Sequence, residues 1–561
     1  MKKEVVKVLK KYLKEEFSSE EIEKLIEIPP NPAMGDYAFP CFVLSKKLKK
    51  NPNQIASAIA KNIAVFEFEK IEPKGPYINF FLNRDMLAKS TIDKIRKEKD
   101  KYGSGKYGKD KVSIEFSGAN THKAFHIGHI RGTALGESIS RIMEFMGNKV
   151  IRTNYQGDSG MHVAKWIWCY KKYHKKKRVT KNEEWFASIY VDAMRRLAKN
   201  PKYQDEVDKI NMKLALNSDP KLTALWEKTR KISLETLEQI YKELNTRFDK
   251  YYFESEMEVR GKQIVRNLLE KKIAKKSQGA VIIDLKKYNL GVWVLLRKDG
   301  TILYSAKDIA LAESKFNDLN INKAVYVAGS EQRHHFYQLF KTLDIMKFRQ
   351  AEKCYYVPVT LVRLPWGKMS SRTGENIIYS TFKKELVDLA KIEIEKRAKL
   401  KKDPLEKRAL AIAVAALKYS MLKQEVNKTI VFDKKEALRF EGDTGPYLLY
   451  THVRAKNILK KTKKKVKTYH LENITIDDLE KNIIQQLSFF PSIVTKAYEK
   501  LTPSLIANYA YQISKMFNEY YQLNRVIGSE KERFRLALVE SFSQVLKNSL
   551  YLLGIPIIER M

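Results

Sequence analysis

Cysteine is all but missing from this 561-residue chain: Cys41, Cys169 and Cys354 are the only three, and they stand far apart. That spacing excludes a disulfide framework and a cysteine metal cluster, and it fits a reducing cytoplasm. Histidine is scarce as well, with nine residues, so two histidines close together in a patterned stretch stand out. No apolar run approaches the length of a membrane span, so no membrane partner is expected. The segment Met1 to Phe17 is amphipathic and carries acids, unlike a secretion signal. Acids are in deficit too, 66 Asp and Glu against 106 Lys and Arg, a formal charge of +40. Part of that excess is compositional, since the chain is rich in Lys, Ile, Asn and Tyr; the rest points to a polyanion whose phosphates it would neutralise. Hydrophobic residues make up 44%, ample for the cores of about three or four domains.

The stretch that organises the chain is S-G-A-N-T-H-K-A-F-H-I-G-H-I-R-G, residues 117–132. Val112, Ile114 and Phe116 alternate before it as a strand, and Ile130, Leu135, Ile139, Ile142 and Met146 follow on one helical face, with Gly147 as the stop. Strand, tight loop and helix start is how a doubly wound α/β fold binds a nucleotide. His126 and His129 would project from the first helical turn. Gly128 removes a side chain so that a flat ring such as adenine can lie on the backbone, and the helix N-terminus favours phosphate. A zinc site would need three or four ligands, which no neighbouring cysteines supply, so no metal ligands are assigned.

Four segments are expected. Residues 1–110 form a small α/β module with helices over 3–16 and 20–27, the second opened by a Ser18-x-x-Glu21 capping box. A helix follows to about Lys50, another runs over 53–63 behind Asn51-Pro52, a strand covers 75–82, and a flexible basic linker covers 99–110. Residues 111–383 form a Rossmann-like parallel-sheet domain. It contains a helical insertion at about 162–250, anchored by buried Trp166, Trp168 and Trp226 and carrying no catalytic constellation. A hairpin is expected with arms at 292–297 and 301–304 around Asp299-Gly300, then a helix from about Ser305 carrying Asp308. His334 and His335 read as helix-face residues rather than ligands. After a strand at 355–364, Lys368, Met369, Ser370, Ser371 and Arg372 lie between Gly367 and Gly374 as a donor-rich, anion-binding loop. Residues 384–436 read as a helical stem-contact region and 437–561 as an all-α bundle.

Two motifs of this kind, H-I-G-H and K-M-S, some 240 residues apart and each following a strand, resemble the signatures of class I aminoacyl-tRNA synthetases. Within that class the chain resembles arginyl-tRNA synthetase over nearly its whole length. It keeps Asn120, Lys123, His126, Gly128 and His129 of the family's opening motif. Further matches are Phe248, Asp249, Glu254 and Ser255; Tyr304, Asp308, Ile309 and Ala310; Gln332, His335 and Phe336; and Phe440 to Tyr450. The resemblance implies activation of L-arginine by ATP with Mg²⁺, then transfer to the terminal adenosine 2′-OH of tRNA(Arg), with activation dependent on bound tRNA. It implies that His126, Gly128, His129, Lys123 and the Lys368–Met369–Ser370 loop handle ATP. Asp308 and Tyr304 would hold the guanidinium, Gln332 would line that pocket, and Asn120 and Glu254 would fix the carboxylate and α-amino ends. Residues 1–110 would contact the tRNA elbow, and Tyr521, Arg525 and Met561 the anticodon loop.

Two departures carry consequences. Ser371 stands where the class has a second lysine, and the resemblance implies that Lys123 supplies that charge. Gly118-Ala119 replaces the usual proline before Asn120, loosening that turn. A monomer is expected. The competing readings are a cysteinyl enzyme, disfavoured because its pocket uses zinc, and a catalytically dead RNA-binding paralogue, against which His126, His129, Lys368 and Asp308 argue.

Overall fold

The computed structural model describes residues 2–13, 17–29, 31, 34–63, 68–365, 378–396, 402–462, 468–472 and 474–560. The chain divides into two compact units.

One unit comprises the first 102 residues together with 457–490 and 515–545. Its antiparallel sheet has the spatial order Tyr37–Pro40, Tyr77–Leu82, Phe68–Lys74. The strand at 77–82 was expected; its two partners were not, because Phe68–Lys74 buries only Phe68 fully and so shows no alternation. Ser18 and Glu21 form the expected capping box at the helix Ser19–Leu25. Asn51 caps Pro52–Asn62 through its side chain. The first helix runs over Lys2–Tyr12. Asp36 explains much of the G-D-Y-A sequence. One of its carboxylate oxygens accepts from the Leu82 N–H at 2.6 Å and the other from Gln485 Nε2 at 2.7 Å. Gly35 precedes it at φ +96°, where a Cβ would stand 3.0 Å from the Phe80 carbonyl oxygen.

The other unit comprises residues 103–456, 491–514 and 546–561. Its centre is a five-stranded, all-parallel sheet: β1 (Lys111–Glu115), β2 (Lys149–Gln156), β3 (Lys250–Phe253), β4 (Lys323–Gly329) and β5 (Cys354–Val359). The spatial order is β5-β4-β1-β2-β3, the doubly wound arrangement, in which ligands bind beyond the strand C-termini where the order reverses, here between β1 and β4. Both faces of β1 are buried, Ser113 as fully as Val112 and Ile114, as a central parallel strand requires.

The helix Ile127–Phe145 leaves β1 at its C-terminal end and is buried on almost every side. Close approach is possible because Gly136 faces Phe116; a Cβ there would lie 2.0 Å from the Phe116 ring. Between β2 and β3 the insertion is helical, over Met161–Cys169, Glu183–Lys199, Tyr203–Ala215 and Pro220–Glu243. Trp166 and Trp168 are buried as expected, but Trp226 is only half-buried. Its indole N–H donates to the Asp158 carbonyl at 2.8 Å, and Arg230 lies 4.8 Å from its ring, so it bridges rather than anchors.

Two further expectations are corrected. Val292–Leu296 pairs mainly with Ala280–Asp284 and not with residues 301–304. The Asp299-Gly300 turn forms, but its second arm is a single bridge from Ile302 to Leu296, because a helix already begins at Tyr304. The 99–110 segment is not a free linker. Tyr102 is buried in the first unit with its hydroxyl on the Leu487 carbonyl, and in the second unit Gly105 and Gly108 donate to the Phe145 and Met146 carbonyls.

Candidate active site

The loop leaving β1 is wound tightly, with Ser117, Gly118 and His122 all at positive φ. It delivers His126 to the N-cap of the long helix. There His126 Nδ1 accepts from the Gly128 N–H, and His129 Nδ1 accepts from the His126 N–H, each at 3.2 Å. The rings stack at 3.8 Å between centroids. This reciprocal cap fixes chemistry as well as structure. A neutral imidazole whose Nδ1 accepts must carry its proton on Nε2, so both rings present an Nε2–H donor, without a hydrogen-bond partner among the described residues. Burial, followed by the neighbouring Lys123 ammonium, lowers His126 to about 4; burial and His126 push His129 well below the ordinary value. At neutral pH the pair is therefore two neutral donors. Gly128 serves this arrangement first of all: a Cβ there would crowd the His126 ring at 3.0 Å. Lys123 is half-buried, with its ammonium 5.4 Å from the Tyr190 ring centroid. Burial and then Lys165 lower its pKa, while Glu254 opposes that shift.

Beside these donors lies an acidic end. Gly157, just after β2, brings Asn120 and Glu254 together: a Cβ at 157 would stand 2.3 Å from Asn120 Oδ1 and 3.4 Å from Glu254 Oε2. Asp158 holds the first turn of the helix Glu254–Glu270 by accepting from the Ser255 N–H and hydroxyl at 2.9 and 2.8 Å. Asp308, in the helix Tyr304–Leu319, accepts from His335 Nε2 at 2.6 Å, and the Tyr304 ring meets His335 edge-on at 4.8 Å. His335 is thus part of the site and not a plain helix-face residue; the sequence showed its position on the helix but not what the helix faces. Gln332 is exposed on the short turn Ser330–Gln332 beyond β4.

The charges of this acidic end are unevenly balanced. Glu254 pairs with Lys307 at 3.1 Å, Asp158 with Arg230 at 2.6 Å, and Glu115 with Lys315. Asp308 alone of the four has a histidine as its partner and no lysine or arginine among the described residues. All four carboxylates act on Tyr155, whose hydroxyl is pushed up by burial first and then by Asp308, Glu254, Glu115 and Asp158. Sequence reasoning missed Glu115, Lys307 and Lys315. Their only signal was an acid at the end of a buried strand and lysines on the buried face of an otherwise apolar helix.

His122, also missed, is completely buried, bonded to Thr121 Oγ1 at 3.0 Å and Thr229 Oγ1 at 2.9 Å. Burial, then His162 and Arg230, lowers it to about 3. Since the unfolded histidine titrates near 6.5, unfolding takes up a proton between pH 6.5 and about 3, and stability falls as pH drops through that window. His122→Asn tolerates the φ of +60°. Its unfolding free energy, from urea titrations at pH 7 and pH 5, is expected to fall less than that of the wild type, by about 2 kcal/mol over the two pH units. An unchanged slope would refute a neutral buried His122.

The insertion brings Cys169, His174 and Asp192 together. His174 Nε2, Cys169 Sγ and Arg196 Nε all lie on one Asp192 oxygen, at 2.9, 3.4 and 2.9 Å. With a guanidinium already on that oxygen, the group is a hydrogen-bond cluster around a carboxylate. Lys368, Met369, Ser370 and Met561 lie outside the described residues. Tyr521 is 39% exposed and stacks on Phe517, while its neighbour Tyr520 is buried. Arg525 is exposed, its Nε donating to the Ile527 carbonyl at 3.0 Å.

A doubly wound sheet with a histidine-capped helix at its switch point and a cluster of four carboxylates beside it fits a class I aminoacyl-tRNA synthetase. The family model described as "tRNA synthetases class I (R), catalytic domain" matches residues 91–434. The arginyl-tRNA synthetase N-terminal domain matches residues 1–82, and the DALR anticodon binding domain residues 448–561. The chain is 36% identical to the arginine–tRNA ligase of Clostridium perfringens over 97% of each chain, and 35% identical to that of Clostridium beijerinckii over 100% of both. Its fold resembles that of Thermus thermophilus arginyl-tRNA synthetase, with TM-score 0.84, 27% identity and full coverage of both chains. It also resembles that of the Plasmodium falciparum enzyme, with TM-score 0.79, 22% identity and coverage of 100% and 98%. The chain belongs to the arginyl-tRNA synthetase family.

Proposed function

We propose that this protein is an arginine–tRNA ligase. It activates L-arginine with ATP, supplied as its Mg²⁺ complex, and transfers the arginyl group to the 2′-OH of the terminal adenosine of tRNA(Arg). The observation that carries the choice of amino acid is Asp308, the one carboxylate of the four around Tyr155 left without a permanent cation. A guanidinium completes that set, offering a planar fork of donors to a carboxylate. Tyr304 covers the same spot through its contact with His335, and Gln332 closes the pocket from the turn beyond β4. Asn120 and Glu254, brought together at Gly157, hold the carboxylate and α-amino ends.

Activation joins an arginine carboxylate oxygen to the α-phosphorus as pyrophosphate leaves. The attacking group is already an anion, so catalysis consists of positioning and of neutralising charge on phosphate oxygens. The Nε2–H groups of His126 and His129 supply neutral donors that need no protonation. Lys123 supplies a cation, taking the place of the lysine that Ser371 replaces, and Lys368 closes on the outer phosphates. In the second step the tRNA 2′-OH attacks the arginyl carbonyl and AMP leaves. Residues 1–110 meet the tRNA elbow, 384–436 the stem, and 437–561, with Tyr521, Arg525 and Met561, the anticodon loop. The enzyme acts in the cytoplasm as a monomer.

ATP–pyrophosphate exchange with each of the twenty amino acids, with and without total tRNA, tests this reading. Exchange with arginine only when tRNA is present is expected. Exchange with arginine alone would remove the tRNA requirement, and exchange with another amino acid would overturn the assignment of Asp308. Silence throughout would favour a dead-site RNA-binding protein.

A further inference from the structure

The two nucleotide-binding motifs of the sequence follow strands that do not touch. H-I-G-H follows β1, while the chain that leads toward K-M-S leaves β5, on the far side of β4, and passes through a short strand, Val362–Arg363, paired with Ile430–Val431. Strands spaced about 4.8 Å apart leave the C-terminal ends of β1 and β5 roughly 10 Å from one another, with no ladder bond joining them. Something beyond the sheet must fix the chain that follows β1, because an error near 1 Å in placing reacting groups costs about 10²-fold in rate.

Glu183, the first residue of the insertion helix Glu183–Lys199, lies at that junction. It is 7% exposed and has no lysine, arginine or histidine partner among the described residues. One carboxylate oxygen accepts from the Phe125 N–H at 2.9 Å, directly before His126. The other accepts from the Ser380 N–H at 2.9 Å, just after the chain returns from the K-M-S segment. The same two strands of chain touch through the Tyr379 N–H on the Phe125 carbonyl at 2.8 Å and a single bridge between His126 and Ile378. The Phe125 ring continues the contact, lying 5.2 Å from the His129 ring and 6.0 Å from Tyr379. A buried carboxylate without a cation is costly to keep. This one uses both oxygens to hold the backbone of two other segments.

The opposite flank of the K-M-S segment is held from the same helix that H-I-G-H opens. Arg131, completely buried, donates through Nη1 to the Thr360 carbonyl at 2.9 Å and hydroxyl at 2.6 Å, where β5 ends. Its Nη2 donates to the Glu425 carbonyl at 3.1 Å.

We propose that Glu183 is a positioning residue of the activation step: its carboxylate ties the backbone directly before His126 to the first turn of the helix Tyr379–Glu395 and so holds the His126–His129 donor pair in place, with Arg131 fixing the helix Ile127–Phe145 on its other side. The helical insertion, which carried no visible chemistry in the sequence, thereby contributes directly to the geometry of catalysis. This rests on the synthetase reading above.

The test is Glu183→Gln in the full-length enzyme, since an amide keeps the shape but only one acceptor oxygen. In arginine-dependent pyrophosphate exchange with tRNA present, kcat/KM for ATP is expected to fall about 10- to 100-fold. The KM for arginine should stay within about twofold and the melting temperature should stay close to wild type. Hydrogen exchange followed by mass spectrometry should quicken in the peptides holding Phe125 and Ser380, with other core peptides unchanged. Glu183→Asp, which keeps both oxygens on a shorter arm, serves if the glutamine variant does not fold and should show the same split to a smaller degree. Equal losses in the arginine and ATP parameters, or unaltered ATP kinetics in a folded variant, would overturn the proposal. Absence of arginine-dependent exchange in the wild-type enzyme would instead sink the synthetase reading, so the two failures are distinguishable.

Discussion

Asp308→Asn is expected to lower kcat/KM for arginine in pyrophosphate exchange by roughly 10²- to 10³-fold, mostly through KM. Asparagine has the shape of aspartate, and its carbonyl oxygen can still accept from His335 Nε2, which holds Asp308 at 2.6 Å. What disappears is the charge. The neighbouring acids cannot replace it, since Glu115, Asp158 and Glu254 are each occupied by Lys315, Arg230 and Lys307. Leaving a buried guanidinium without its carboxylate costs about 3–5 kcal/mol, and each 1.4 kcal/mol is about tenfold. The ATP parameters should change little, because among the described residues no hydrogen bond or ion pair joins Asp308 to His126, His129 or Lys123. A loss below tenfold would mean that another carboxylate carries the guanidinium, Glu115, half-buried at the end of β1, being the first candidate.

His129→Ala should act on the other half of the reaction. The expected result is a fall in the activation kcat of about 10²- to 10³-fold, the usual cost of losing one preorganised donor to developing charge. The KM for arginine should hardly move. The reason lies in the reciprocal cap: His129 Nδ1 is committed to the His126 N–H, so its proton sits on Nε2 and is available to a phosphate oxygen. Alanine removes that donor and also the acceptor for the His126 N–H, so the His126 ring loses the partner that orients it. Single-turnover adenylate formation separates this from slow product release. A raised arginine KM with an intact rate would place His129 in the amino-acid pocket instead.

Much of this was legible from local sequence. Strand β1, the helix behind H-I-G-H, the Ser18–Glu21 capping box and the Asn51 cap are fixed by residues within a few positions of one another, and such signals survive without tertiary information. What failed did so for nonlocal reasons. Val292–Leu296 reads as the arm of a hairpin, but tertiary pairing gave it Ala280–Asp284 as its neighbour and gave Tyr304 to a helix. Trp226 reads as core by residue type, yet it bridges Asp158 and Arg230 at a half-open position.

The same division runs through the site. His126, Gly128 and His129 form a unit four residues long, so one stretch of sequence determined the cap, the tautomer and the pair of donors. Asp308, by contrast, is from sequence only an acid on the first turn of a helix. Its standing as the one of the four carboxylates around Tyr155 with no lysine or arginine partner among the described residues depends on Lys307, Lys315 and Arg230 reaching the other three from different elements, which is a property of packing. Glu183 is further still from any local signal, since its two partners lie 58 and 197 residues away in the chain. Sequence by itself determined which elements form and which residues could donate or accept. The tertiary structure decided which charges cancel and which backbone segments share an acceptor, because those depend on distances that only the folded chain sets.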